Sequence, residues 1–390
     1  MEPQKNETAA TTTAPTTSDN NTWKEKKIPH YARATYEEGK IPDNQEQVLQ
    51  RPKNTPTWSS PMLTGLTWKS TTLYEEICRL DLQSHVADLH VKGYTVIPPE
   101  KVMPASYRKK LTEALLNVCE RRTGVRPDVE NGTTHEGMQH SLGQFMRFLT
   151  FEDPTFEPMI TNPVMMALVS YILGPDAILS LNDGMIKGPG KNFTPLHNDN
   201  GSPGPFPDFG YGLTMNLILS DYDEDSGGLG FVPGSHLLKR EPTQAEYDMM
   251  QKDGATVPVV AKAGSLIVWG ANCWHVSYPR KKPGLRLTLL YFFVESRMQT
   301  QCPFRRVCSE QFPETMERNP PRFSGLMDVY GAMPMDEEAD FDQGKFVKRA
   351  RVNKHNIHKS LPMWKEFYGI TEETFSGRNR KEIKKHNSLL

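Results

Sequence analysis

Two textures of apolar and polar residues divide the chain. From about residue 72, TTLYEEICRLDLQSHVADLHVKG carries Leu73, Ile77, Leu80, Val86 and Leu89 at three- and four-residue spacing. This predicts a helix stopped by Gly93. YTVIP then predicts a short strand, SYRKKLTEALLNVCERRTG a second helix ending at Gly124, and NPVMMALVSYILG a third closing on Gly174. Beyond Gly174 short β-rich runs alternate with Gly/Pro turns: AILSLNDGMIKG, YGLTMNLILS, GGLGFVP, AGSLIVWG and RLTLLYFFV. Helices followed by many short strands predict an α+β chain whose catalytic half is an all-β sandwich or barrel.

The flanks read differently. Residues 1 to about 22 are rich in Thr, Ala, Pro and Asn, too poor in large apolar side chains to offset ordering entropy. Up to about residue 70 the chain stays polar and Pro-interrupted, an extended arm with Trp23, Trp58 and Trp68 as anchors. After about 300 it is polar again, with a helical piece at LPMWKEFYG and a basic end, RNRKEIKKH, expected to be a solvated tail. The division expected is therefore an arm over 1–71, a catalytic domain over 72–300 and a C-terminal extension over 301–390.

Charge narrows the functions. With 46 basic against 47 acidic residues and a net charge of −1, nothing favours nucleic acid or an anionic membrane as partner. No apolar run is long enough for a membrane span, and the N-terminus has no apolar signal core. Five scattered cysteines (Cys78, Cys119, Cys273, Cys302, Cys308) suit reduced thiols. Sequons at Asn192 and Asn200 flank His197, where a glycan would block a site, so the cytoplasm is expected.

TPLHNDNG holds His197 and Asp199, which alone would be a surface turn. Downstream, AGSLIVWGANCWH ends on His275. Two histidines and one carboxylate from β-strands form the facial triad of a non-haem Fe(II) site. Three protein ligands leave positions for a chelating cosubstrate and dioxygen, whereas four would close the site. Past a Pro/Gly turn, Arg286 opens RLTLLYFFV and offers a bidentate partner for the far carboxylate of a dicarboxylate. Lys187, on the strand before His197, is the next candidate cation.

Together these segments resemble the phytanoyl-CoA dioxygenase family of Fe(II)/2-oxoglutarate oxygenases. HVKGYTVIPP, NPVMMALVSYILGPDAIL, MIKGPGKNFTPLHND, LSDYDEDSGGLGFVPGSH, AGSLIVWGANCWHVS and the arginine strand carry the likeness, over roughly residues 72 to 296. The resemblance implies a double-stranded β-helix (jelly-roll) core with flanking N-terminal helices. It implies iron on His197, Asp199 and His275, the 2-oxoglutarate C5 carboxylate on Arg286, and cosubstrate positions at Ser277 and Met185. Asn216 stands where family members often carry a tryptophan, so a bulky wall of the cosubstrate pocket becomes a small polar group. Fe(II), 2-oxoglutarate and O2 are the implied cofactors. A small organic substrate would be oxidised with release of succinate and CO2. Hydroxylation is the default outcome, and desaturation or ring formation would use the same residues. Two other readings are a non-catalytic jelly-roll binding protein and an oxygenase acting on a macromolecule, which would call for a long basic groove.

Other motifs carry less. DYDEDSGG places Asp221, Asp223 and Asp225 like a calcium loop, but Ser226 and Val232 replace the glycine and glutamate that an EF-hand needs. Phe206, Phe209 and Tyr211 either line the substrate pocket or pin their loop. His236 in PGSH reads as structural.

Overall fold

A computed structural model describes residues 71–132, 144–190, 194–201, 204–253, 255–328 and 361–370. The N-terminal arm with its three tryptophans and the basic C-terminal end lie outside the described residues. The helix expected from residue 72 is two helices, α1 (Thr71–Arg79) and α2 (Gln83–Lys92). Between them Asp81 is left-handed at φ 52°, held by Lys101 Nζ on its carbonyl (2.8 Å) and carboxylate (2.6 Å). The reversal buries Leu82 completely, so the apolar spacing runs on across a break it does not reveal. α2 stops at Gly93, φ 84°, which leads into β1 (Tyr94–Ile97). α3 (Ala105–Thr123) ends on left-handed Gly124. α4 (Pro163–Leu173) begins where Asn162 Oδ1 accepts from the amides of Val164 and Met165.

The strands are β2 (Gln144–Met146), β3 (Ile178–Lys187), β4 (Thr194–His197), β5 (Gly212–Ile218) and β6 (Leu229–Phe231). They continue as β7 (Val257–Pro258), β8 (Leu266–Gly270), β9 (His275–Ser277) and β10 (Arg286–Val294). The major sheet has the order β1-β8-β5-β10-β3-β2 and the minor sheet β4-β9-β6-β7, with every pairing antiparallel. The fold is α+β, a jelly roll flanked by N-terminal helices.

Strand alternation divides the major sheet into an outer and an inner face. Leu213, Met215 and Leu217 of β5 and Leu287, Leu289 and Tyr291 of β10 join the helices in one core. Gly184 of β3 lies on that outer side, since a Cβ there would run into Leu115 and Leu149. Asp183, Met185 and Lys187 consequently face inward, with Thr288 and Leu290 across the ladder and Asn216 beyond. Strands covered on both faces read as near-continuous apolar runs rather than strict alternation, which is the texture seen after Gly174.

No single helix among the described residues is long and apolar enough to cross a membrane. α4 is apolar all round because Pro163 through Ser170 are buried. The same core receives a segment distant in sequence, the short helix Pro362–Phe367. Trp364 is fully buried there, donates from Nε1 to the Pro158 carbonyl at 2.8 Å, and meets Tyr107 edge-on at 5.6 Å. Tyr368 lies against the Lys101 and Val102 carbonyls and accepts from Asn162 Nδ2. Trp364→Ala should therefore lower the free energy of unfolding by about 3–5 kcal/mol, the usual range for a buried tryptophan. A denaturant midpoint equal to that of the natural chain would show that residues 361–370 stand outside the cooperative unit.

Candidate metal centre

β4 ends on His197 and β9 opens on His275, and the two are cross-strand partners with ring centroids 4.2 Å apart. Each imidazole is oriented by the main chain. His197 Nδ1 donates to the Pro195 carbonyl at 2.7 Å, and His275 Nδ1 to the Cys273 carbonyl at 3.0 Å. A carbonyl can only accept, so both protons sit on Nδ1 and both Nε2 lone pairs are free.

Asp199 follows β4 in a turn fixed by its amide on the Ala271 carbonyl, 2.7 Å. Its Oδ2 accepts from Thr214 Oγ1 at 2.7 Å and from Trp269 Nε1 at 2.9 Å. That leaves Oδ1, which stands 3.6 Å from His197 Nε2 and 3.7 Å from His275 Nε2. One ligand atom from each residue lies within 4.8 Å of the other two. With metal–ligand bonds of about 2.1 Å, atoms on one ion stand about 3–4 Å apart, so the three suit a single cation. Burial pushes His275 down to about 4, which keeps its imidazole neutral as a ligand must be. Burial opposes the charge on Asp199, but the two imidazoles and the two donors outweigh it and lower its pKa. Trp269 and Phe231 pack beside the His275 ring, whereas the His197 side chain is 37% exposed and marks the open side.

Two cations lie on the inner face at cross-strand partners, Arg286 of β10 and Lys187 of β3. Arg286 is buried over the Tyr222 ring. It donates from Nη1 to the Gly227 carbonyl and from Nη2 to Met185 Sδ at 2.9 Å, while Nε has no partner. Lys187 Nζ donates to Ser277 Oγ at 3.1 Å and to the Tyr278 carbonyl at 2.6 Å. Burial, and then Arg286, push the lysine down to about 7. No ion pair to a carboxylate of the described residues neutralises either cation. Buried cations without counter-charge are costly unless a ligand supplies it.

β3 and β10 are buried at every position except Met185 and Leu290. Both face inward, so the space between the sheets opens over these two residues. Asn216 pairs with Leu290 on the adjoining strand, and its Oδ1 has no partner. The seven residues singled out from sequence thus fall on one inner space: His197, Asp199 and His275 form one cluster, Arg286, Met185 and Ser277 meet around Lys187, and Asn216 lies beside its floor. Thr214 and Trp269, which orient Asp199, were not singled out. Their one signal is strand alternation, which puts Thr214 on the same face as Asn216. Phe209 packs against His90 (5.0 Å) and His236 (6.1 Å), and Asn272 Nδ2 holds the Pro207 and Asp208 carbonyls. Phe209 pins its loop, and His236 is structural, its Nε2 on the His90 carbonyl.

The sequence profile of the phytanoyl-CoA dioxygenase family (PhyH) matches residues 89–287, just over half of the chain. The protein belongs to the phytanoyl-CoA dioxygenase family. Iron(II), 2-oxoglutarate and O2 are the cofactors of these oxygenases, and the two imidazoles and one carboxylate fit the metal. The chain is also similar to uncharacterized proteins of Mycobacterium tuberculosis and Mycobacterium bovis, each 27% identical over 227 residues, 57% of this chain and 78% of theirs. Among solved structures, the non-heme alpha ketoglutarate dependent epimerase SnoN from nogalamycin biosynthesis is 22% identical with a TM-score of 0.42. That match covers 55% of this chain and 84% of SnoN. EctD from S. alaskensis, crystallised with 2-oxoglutarate and 5-hydroxyectoine, is 17% identical with a TM-score of 0.45, covering 55% and 76%. These two likenesses are too distant to bear on the reaction.

The hydrogen bonds to Asp199 Oδ2 carry a testable consequence. Thr214→Val keeps the shape of the side chain and removes one donor, so Fe(II) affinity should fall about 10–100-fold, the range for such supporting partners. Anaerobic metal titration measures it, and an unchanged affinity would mean that Trp269 alone orients the carboxylate.

Proposed function

We propose that the protein is an Fe(II)/2-oxoglutarate-dependent dioxygenase that hydroxylates a small organic molecule and releases succinate and CO2. One observation carries this reading. Three free ligand atoms stand together beside an inner space that also holds a buried arginine and a buried lysine, neither paired with a carboxylate of the described residues. Bound iron would supply the oxidising chemistry, the oxidative decarboxylation of 2-oxoglutarate by O2.

The chain's own residues do the rest. His197, Asp199 and His275 would hold the ion. Arg286 receives the far carboxylate, with Lys187 beside it adding charge. Ser277, already accepting from Lys187, keeps its own proton to donate to the same carboxylate. Met185 steadies the Arg286 guanidinium through Nη2. Asn216 lines the space with an amide in place of an indole. Trp269 and Phe231 keep water from the His275 flank. In this reading residues 72–300 form the catalytic unit, which the arm 1–71 and the extension 301–390 flank.

Two measurements test the cosubstrate end. Arg286→Leu would leave the far carboxylate without its partner, at a cost of about 3–5 kcal/mol. The 2-oxoglutarate concentration needed for succinate release should rise at least a hundredfold, and an unchanged requirement would move the anchor elsewhere. Lys187 supplies the second. Its pKa of about 7 in the free protein lies well below the ordinary lysine value, so the amine is mostly neutral above pH 7. A carboxylate brought to it favours the charged form and raises that pKa, so binding takes up a proton above pH 7. Calorimetric enthalpies of 2-oxoglutarate binding should then vary with the ionisation enthalpy of the buffer, and Lys187→Met should abolish the variation. Buffer-independent enthalpies in the natural chain would place Lys187 away from the cosubstrate.

A further inference from the structure

Beside the metal cluster, aromatic rings from both sheets stand in contact. Trp269 of β8 donates from Nε1 to Asp199 Oδ2 at 2.9 Å, so its indole is one hydrogen bond from a metal ligand. Phe231 of β6, the cross-strand partner of His275, meets that indole edge-on with ring centroids 5.4 Å apart. Phe231 also stacks on Tyr94 of β1, 4.3 Å between centroids and 11° between planes. Tyr94 and Trp269 are themselves cross-strand partners, so the three rings form one short path. Trp269 and Phe231 are buried, whereas Tyr94 is half-buried on the edge strand of the major sheet.

Packing accounts for Phe231 but not for a phenol at the end of the path, where phenylalanine would stack equally well. Indole and phenol are among the side chains that give up an electron most readily. Their order along the path also matters. The indole adjoins the metal ligand, and the phenol lies where its proton can leave to water. A phenol that sheds its proton is easier to oxidise than an indole, so an oxidising equivalent runs outward. Trp274, beside His275, is not placed for this. Its Nε1 donates to the Arg240 carbonyl at 2.8 Å, and the Arg240 guanidinium lies over its ring, where a positive charge opposes loss of an electron.

We propose that Trp269, Phe231 and Tyr94 form a relay that carries an oxidising equivalent from the metal site to the sheet edge when no substrate is there to consume it. The inference rests on the oxygenase reading, in which O2 and 2-oxoglutarate supply the oxidant. Tyr94 gives up one electron, which crosses the Phe231 contact to Trp269 and so reaches the oxidised iron. Its phenol proton leaves to water, and the iron site takes up one proton from water with the electron. Tyr94 is left as a neutral radical, which a soluble one-electron reductant of the ascorbate class restores. The relay thereby spares the ligands and the ring beside them from a competing reaction.

The full chain is mixed with Fe(II), 2-oxoglutarate and O2 without any other substrate, frozen at intervals and followed by electron paramagnetic resonance. A tyrosyl radical signal should appear, narrow when the tyrosines are ring-deuterated, and vanish on adding ascorbate. Tyr94→Phe keeps the stacked ring and should abolish the signal, and peptide mass spectrometry should then find oxygen added at Trp269. A tyrosyl signal that persists in Tyr94→Phe, or succinate formed with no protein radical, overturns the relay and leaves the oxygenase reading intact. A second measurement needs no metal. Near-ultraviolet light absorbed by tryptophan alone photoionises the indoles of the metal-free chain, and transient absorption follows the radicals. Part of the tryptophanyl signal should convert to tyrosyl, and that part should be lost equally in Tyr94→Phe and Trp269→Phe. Conversion that neither substitution changes overturns the relay. Conversion that needs both residues, in a chain that binds no Fe(II), upholds the path and removes the oxygenase reading.

Discussion

The site depends on hydrogen bonds that occupy the unwanted atom of each ligand. Two backbone carbonyls take the Nδ1 protons of His197 and His275, and Thr214 and Trp269 take Oδ2 of Asp199. What remains is Nε2, Nε2 and Oδ1, already within reach of one another. None of these supports is itself a ligand. The Pro195 carbonyl belongs to β4 itself and the Cys273 carbonyl to the turn that enters β9, and the two donors belong to β5 and β8. Pairing of the sheets and binding of the metal are therefore specified by the same contacts, and the ordering cost is met during folding rather than on binding.

The inner face combines that order with deliberate imbalance. The outer face of the major sheet is a plain apolar core against α3 and α4. Across the sheet lie a partly unpaired arginine, a lysine depressed to about 7, an aspartate raised to about 6 and an asparagine with a bare carbonyl. Each would be replaced by an apolar residue if stability alone decided. The two basic side chains call for an anion from outside the described residues.

How much of this was legible in the sequence varies with the range of the interaction. His197, Asp199, His275 and Arg286 stand in chain order on recognisable turns and strands, and their types name the chemistry. The strands themselves show as apolar runs bounded by glycine and proline. The break at Asp81 was invisible because Leu80 and Leu82 are both buried and the spacing passes through it. Thr214 and Trp269 could be assigned a face but not a partner, which only the packing of one sheet on the other supplies. The contact of Lys187 with Ser277 joins the two sheets in the same way. In LPMWKEFYG the helical character was readable, whereas the place where Trp364 docks was not.

His197, Asp199 and His275 are expected to hold iron in a form that 2-oxoglutarate can chelate. The most direct test is an anaerobic titration of the natural chain with Fe(II) and then with 2-oxoglutarate, followed by visible absorption. One Fe(II) should bind per chain, with a weak visible charge-transfer band that grows only when 2-oxoglutarate is added. His275→Ala should abolish the band while the far-ultraviolet circular dichroism is kept. Stoichiometric iron with no band, or a band that survives in His275→Ala, would contradict this assignment.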